Sequence, residues 1–216
     1  MKRVVYASSA AVYGPGPVYE DLLGRHTLTA AAPPMPGDPY GSTKLLFEGY
    51  AAQAIREGQH IVGLRLVLTF GVGSVNAAVS ILNRAMRDAA LTGSGTVTHP
   101  WTPEMHIDPM YVKDAADLFV KTCLHVKKFR QPVYNLDTGE YLPMRHMMNL
   151  AGKLLPAGAC IRFEKTTPAE VGGLKVPLFN YPDLDSSAIR AELDWTPAYG
   201  FQGRAGECIQ THLVAR

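Results

Sequence analysis

Three continuous apolar runs separated by segments of helical period constrain this 216-residue chain more than any other feature. They are RVVYASS at 3–9, HIVGLRLVLTFG at 60–71 and PVYNLD at 132–137. None of them alternates, as a strand covered on both faces of a parallel sheet does not. The first helix is expected from Pro39 or Tyr40 to about Glu57, closed by Gly58 as a C-cap. Further helices are expected over 75–91, 112–126, 142–155 and 185–193, the last with Asp185 as N-cap, and a final amphipathic one over GRAGECIQTHLVAR. ACIRFEK reads as a short strand. TGSGTVTHPWTPEMH reads as a loop with at most a short strand, and 10–39, with AAPPMPGDP, as a long irregular connection. Strands alternating with helices form βαβ units, so the expected fold class is α/β with a parallel sheet.

Composition narrows the function classes. A hydrophobic content of 47% with 19% charged residues is that of a packed globular protein. A net charge of +2 gives no basis for nucleic-acid binding, and the densest basic cluster, VKKFR at 126–130, reads as a solvated loop. Cys123, Cys160 and Cys208 are far apart and form no C-x-x-C pair, which excludes a disulfide framework or a zinc site and fits a reducing compartment. No apolar run reaches the length of a membrane span and no signal-peptide layout opens the chain, so no membrane partner is expected. The expected localisation is cytoplasmic.

The chemistry centres on Tyr40 and Lys44, four apart on a helix and so on one face, one turn apart. A free phenol has a pKa near 10 and is a poor acid or base at neutral pH. A neighbouring ammonium favours the phenolate and brings the tyrosine toward useful acid–base work. Ser9, at the end of the first strand, could hold a substrate oxygen in line with the phenol, while Ser8 faces the other side. Y-x-x-x-K by itself carries little weight, since about 0.4 matches are expected by chance in a chain of this composition. His99, His106 and Asp108 lie near one another without metal-ligand spacing, so no metal site is expected. Tyr13 reads as packing in its turn, Asp114 and Asp117 as helix decoration, and Trp101 and Trp195 as core or lobe contacts.

The ordered set of motifs resembles the extended short-chain dehydrogenase/reductase family, the NAD-dependent epimerase/dehydratase group that acts mostly on nucleotide sugars. ASSAAVYG looks like its serine turn, PYGSTKLLFEGY like its Tyr/Lys helix, and GLRLVLTFGVG and IDPMYVKDAADLFV like the two segments that follow. VYNLDTGE and DSSAIRAELDWTP resemble the closing segments. The resemblance implies the C-terminal half of a Rossmann-like parallel sheet with a small α/β substrate lobe. Residues 1–72 and 106–138 would form the Rossmann-like part, and 73–105 and 139–216 the lobe. Tyr40 would be the acid–base, Lys44 would lower its pKa and bind the nicotinamide ribose, and Ser9 would orient substrate. NAD or NADP would be the cofactor, flanked by Ala7, Ser8, Val67, Leu68 and Thr69. Asn76 and Lys175 would join Ser9 on the substrate side, and the Tyr40–Glu57 helix would be a dimer-forming surface.

The sequence also departs from the family pattern. The Gly-rich phosphate turn and the residue that selects NAD or NADP have no counterpart, as if four strand–helix units of about 100 residues were absent. GVGSVN at 71–76 lacks the third glycine and reads as a strand-to-lobe turn. Leu68 stands where the family often has asparagine. Ile107 stands where an arginine contacts a substrate diphosphate, and Lys175 aligns loosely with a second such arginine. Three readings therefore stand side by side: a sugar-nucleotide epimerase or dehydratase, a dehydrogenase or reductase of a smaller hydroxy or keto compound, and a truncated or silent fragment serving as an interaction module. The chain alone is expected to be inactive. Its first strand, as a sheet edge, is expected to drive homo-oligomerisation or to require a partner that completes the sheet.

Overall fold

The computed structural model describes residues 3–24, 27–72, 79–98, 101–164, 170–171, 174–175, 182–198 and 200–214. In chain order the elements begin β1 (Val4–Ser9), α1 (Gly16–Leu23), β2 (Thr27–Leu28), α2 (Pro39–Arg56), β3 (Ile61–Leu66), β4 (Leu68–Phe70) and α3 (Val79–Thr92). Next come β5 (Ser94–Val97), β6 (His106–Ile107), β7 (Pro109–Tyr111), α4 (Val112–Leu124), β8 (Val133–Asn135), β9 (Leu142–Pro143) and α5 (Met144–Gly152). The last are β10 (Cys160–Phe163), β11 (Glu170–Val171), β12 (Leu174–Lys175), β13 (Asp183–Leu184), α6 (Ser187–Leu193) and α7 (Phe201–Val214). They form two compact units.

The first unit comprises Met1–Val67, Lys113–Gly139 and Asn180–Pro197. The three apolar runs form its sheet, all parallel, in the order β1-β3-β8. β3 is central and its middle residues are buried, as a continuous run requires. β1 is the sheet edge expected of it, and its faces are less covered than a continuous apolar run implies. Among the described residues it pairs with β3 alone, and Val4 is 55% exposed. Tyr6 stands opposite Gly63 in the register, and a Cβ at Gly63 would come within 2.5 Å of the Tyr6 ring. The glycine makes room for that ring, which also meets Phe47 of α2 edge-on at 4.9 Å. Burial, with a smaller contribution from the Glu48 charge and against the opposing pull of Arg65, pushes the Tyr6 phenol up to about 12.

One arginine interrupts the apolar β3, and the unit is organised around it. Arg65 is 3% exposed and forks onto Glu48 of α2, with Nε 2.9 Å from one carboxylate oxygen and a terminal nitrogen 2.7 Å from the other. Its remaining nitrogen donates to the Tyr13 hydroxyl and to the Ala30 carbonyl. Tyr13 donates to Asn135 Oδ1 of β8 at 2.9 Å, and Asn135 Nδ2 donates to the Leu28 carbonyl at 2.8 Å. Ser8 of β1 donates to Glu48 Oε1 at 2.5 Å. All three strands, α2 and the 28–30 segment thus meet through one buried polar network in which each charge has a bidentate or hydrogen-bonded partner.

The stretch 10–39 is more regular than its composition suggests, since it contains α1 and β2. β2 exists because β13 lies parallel beside it, with Thr27 opposite Asp183 and Leu28 opposite Leu184. Residues 182–197 consequently belong with the sheet unit. Asp137 accepts from the Ser186 amide at 2.8 Å and from Arg190, Glu192 accepts from Tyr134, and Trp195 Nε1 donates to Asp117 at 2.9 Å. Asp185 lies just ahead of α6, and its carboxylate accepts from the Ser187 amide at 2.8 Å.

The second unit comprises Leu68–Val112, Glu140–Phe179 and Ala198–Arg216. Its core includes Phe70, Leu82, Met86, Trp101, Met147 and Phe201. The 94–97 segment is the short strand β5, parallel to β10, within a stretch that the sequence reads as a loop with at most a short strand. A Cβ at Gly95 would come within 1.9 Å of the Ala85 carbonyl, so this close seating of α3 on β5 depends on glycine. The helix expected over 75–91 is described from Val79, and 75–78 lie outside the described residues.

Glu48→Ala leaves the Arg65 guanidinium buried and unpaired and is expected to cost about 3–5 kcal/mol in chemical denaturation. A loss below about 1 kcal/mol would show that the pair does not hold this unit together.

Candidate functional site

The site is assembled where β1 ends and α2 begins. Ser9 has an extended backbone, and its Oγ accepts from the Ala11 amide at 3.1 Å, capping the 3₁₀ turn Ala10–Val12. Opposite this turn, Asp38 caps α2 by accepting from the Gly41 amide at 2.6 Å, and Pro39 occupies the first turn, where its missing N–H costs nothing. A Cβ on Gly41 would lie 2.0 Å from the Ala11 carbonyl. The glycine of PYGSTK is therefore what lets the first turn of α2 seat directly on the turn that follows the strand.

That seating positions the chemistry. Tyr40, in the first turn, is 55% exposed. Lys44, one turn on, donates from Nζ to the Ala7 carbonyl at 2.9 Å, and the same nitrogen lies 5.6 Å from the centroid of the Tyr40 ring. An ammonium has three donors. Among the described residues only one of them is used, which leaves two for hydroxyl groups of a bound molecule. Ala7 and Ser9 alternate with Ser8 along β1 and share its other face. The Ser8 hydroxyl points inward to Glu48, so only its backbone is available to a cofactor.

The remaining expected positions are distributed differently. Val67 packs with the core cluster that includes Val12 and Leu184. Leu68 and Thr69 lie in β4 of the second unit, opposite Pro109 and Met110. Asn76 and His99 lie outside the described residues, and Lys175 sits in β12 with its side chain outside them. Ile107 is 1% exposed in the core of the second unit. His106 stacks on Tyr141 with ring centroids 5.4 Å apart, and among the described residues no group of three or more His, Cys, Asp or Glu side chains is placed to hold a metal. No described helix is long and apolar enough to cross a membrane.

The residues present fit one end of a dinucleotide. The free donors of Lys44 and the exposed Tyr40 suit a ribose and its attached ring. The pyrophosphate requires a cluster of oriented amides, and the 216 residues contain no G-x-G-x-x-G turn to supply it. Sequence reasoning misses the support beneath the site. Glu48 follows Lys44 by four residues on the same helical face, and Arg65 is the arginine inside an apolar strand; together they are the available signal. Burial raises the Tyr13 phenol above its ordinary value despite its bonds to Arg65 and Asn135, so Tyr13 remains a protonated scaffold group.

Comparison with known proteins gives a consistent picture. The NAD dependent epimerase/dehydratase family matches residues 1–137. No curated protein matches the sequence. Among solved structures, UDP-glucose 4-epimerase from Thermus thermophilus, in complex with NAD, is 22% identical with a TM-score of 0.79, and the match covers 100% of this chain and 65% of that one. UDP-N-acetylglucosamine 4-epimerase from Methanobrevibacter ruminantium is 20% identical with a TM-score of 0.78, covering 100% and 64%. L-threonine dehydrogenase from Phytophthora infestans is 14% identical with a TM-score of 0.80, covering 99% and 66%. At these identities the likeness is one of fold, and the chain spans about two thirds of the length of each.

Gly41→Ala forces a methyl group against the Ala11 carbonyl and is expected to cost about 1–3 kcal/mol by thermal or urea denaturation. Gly49→Ala, on the same helix with open space around its Cβ, is expected to be neutral or stabilising. Equal effects of the two substitutions would contradict the close seating described above.

Proposed function

The chain belongs to the NAD dependent epimerase/dehydratase family, and from that premise we propose that it carries the acid–base half of an NAD(P)-linked active site. Tyr40 exchanges a proton with a substrate hydroxyl or carbonyl oxygen, Lys44 supports the phenolate and holds the nicotinamide ribose, and Ser9 orients the substrate oxygen. The observation that carries this reading is the placement of Lys44, tied to the Ala7 carbonyl and 5.6 Å from the Tyr40 ring. A fixed ammonium beside an exposed phenol puts a cation next to the group that would exchange the proton. When bound, the dinucleotide supplies the hydride acceptor or donor.

Two substrate classes fit the family. A sugar nucleotide is the first. The second is a smaller hydroxy or keto compound, and a specific observation favours it. Ile107, where the family resemblance would place a diphosphate-binding arginine, is an apolar residue inside a packed core. The likeness to L-threonine dehydrogenase is compatible with this reading.

Without a glycine-rich turn to cradle the pyrophosphate, the 216 residues by themselves are expected to bind dinucleotide weakly and to show low activity. A sheet-completing partner, either a second copy or a segment with its own glycine turn, would seat on the β1 edge, where Val4 and the α2 side chains Leu46, Phe47 and Tyr50 are exposed. Three free cysteines fit residence in the cytoplasm.

NADH titration of the purified chain tests the cofactor role. Binding weaker than about 1 mM, reduced further by Lys44→Met, is expected, whereas affinity indifferent to Lys44 would remove it from the ribose. Any NAD-linked turnover should fall roughly 10²–10⁴-fold in Tyr40→Phe with stability unchanged. Turnover that survives this substitution would discard the assignment. Light scattering is expected to find a particle heavier than the 23.5 kDa chain, and a clean monomer at working concentration would refute the edge-pairing proposal.

A further inference from the structure

The end of the sheet opposite Tyr40 and Lys44 gathers basic side chains from segments far apart in sequence. One cavity of about 320 Å³ is lined by Arg3 ahead of β1, Arg56 at the end of α2, His60 ahead of β3, and Lys128 and Arg130 ahead of β8. Among the described residues no carboxylate lines it. Its walls include Ile55, Ile61 and Pro132, so it offers apolar surface as well as charge. β1 alone rises about 20 Å at ~3.3 Å per residue, which separates this cavity from the carboxyl ends of the strands, where Ser9 lies.

The cavity is built rather than incidental. Arg3 donates to the carbonyls of Thr122, His125 and Lys127, and its guanidinium lies 4.8 Å from the centroid of the Phe129 ring. His125 and Tyr134 also pack against Phe129, with ring centroids at 4.9 and 5.7 Å. The basic 126–130 loop, which the sequence reads as a solvated run, is thereby fastened, and its Lys128 and Arg130 line the same cavity as Arg56 and His60.

The charges of Arg56, Lys128 and Arg130 are also available. Among the described residues none of the five makes an ion pair. Arg56 uses one nitrogen on Gln53 Oε1 at 2.6 Å, and the side chains of Lys128 and Arg130 have no described partner. Two nearby carboxylates do not line the cavity. Glu57 accepts from Gln53 at 2.7 Å, and Glu192 accepts from Tyr134 and from the Arg130 amide at 3.0 Å. The carboxyl ends of α2 and α4 bring about half a negative charge each, and Arg3 answers that of α4. The full cationic charges at the cavity wall outweigh that remainder.

We propose that this cavity is an anion site that binds a phosphate-bearing small molecule. Its volume lies within the range of about 300–1,000 Å³ usual for small-molecule sites. Guanidinium groups match phosphate oxygens in pairs, and the apolar wall takes the body that carries the phosphate.

The test is calorimetric titration of the full chain with two probes, inorganic pyrophosphate and AMP. Saturable binding that weakens as salt rises is expected for both, with AMP tighter if the apolar wall contributes. Lys128→Gln combined with Arg130→Gln, both exposed positions, should weaken binding at least tenfold while leaving the ligand-free melting temperature unchanged. Lys44→Met should leave it intact. Absence of saturable binding by both probes at low salt would overturn the proposal. So would affinity that survives the double substitution, or affinity that is lost in Lys44→Met.

Discussion

The buried pair of Glu48 and Arg65 is the constraint on which the sheet unit depends. A guanidinium in the middle of a central strand cannot remain unpaired, because removing it from water costs several kcal/mol that only a well-placed anion and further hydrogen bonds offset. The required anion comes from α2, so α2 must cross the sheet at one height and one rotation. Tyr40 and Lys44 precede Glu48 on the same helical face, two turns and one turn earlier. The helix that neutralises Arg65 therefore also carries the phenol and the ammonium to the end of β1. The support and the chemistry form one stripe along one face, with Gly41 setting how closely its first turn approaches the strand end.

Much of this is legible in the residues. The three apolar runs become the three strands of the parallel sheet. The α2 helix starts at Pro39 and ends at Arg56, just ahead of Gly58, whose φ of 89° suits a residue past a helix end. These features are encoded locally by period, caps and apolar content. The elements that the sequence marks weakly or not at all share a different cause. β2 is held by β13, and β5 by β10, each from a distant part of the chain, so neither segment needs a strong strand pattern of its own. Of the candidate site, the Tyr40–Lys44 spacing is readable, and the split between Ser8 and Ser9 follows from strand alternation. Glu48 does not stand out, because a glutamate on a helix ordinarily faces water and only the arginine in β3 tells otherwise. The basic 126–130 loop looks solvated for a similar reason. Nothing local in it announces that Arg3 will fasten it down.

The parallel sheet also gives the unit a polarity. Its strand carboxyl ends present Ser9 and the start of α2. Its amino ends collect Arg3, His60 and the 128–130 cations beside the end of α2. Small-molecule chemistry in open α/β sheets gathers at the carboxyl ends of strands, which is where Tyr40 and Lys44, the proposed acid–base pair, fall in this chain. Ile107 belongs to the second unit's apolar core, where it can pack but cannot pair with a phosphate.

The polar network around Arg65 also has a kinetic side. Tyr13 meets Asn135 across 122 residues of sequence, and Arg3 grips the carbonyl of His125 across a span of the same length. Loops of that length close slowly, since their entropy is lost before any contact compensates for it. On a ribosome, Glu48 and Arg65 both emerge well before Asn135, so the ion-pair partners are present before the Tyr13 acceptor on β8. Completion of the sheet then waits for β8, the last of its three strands in chain order.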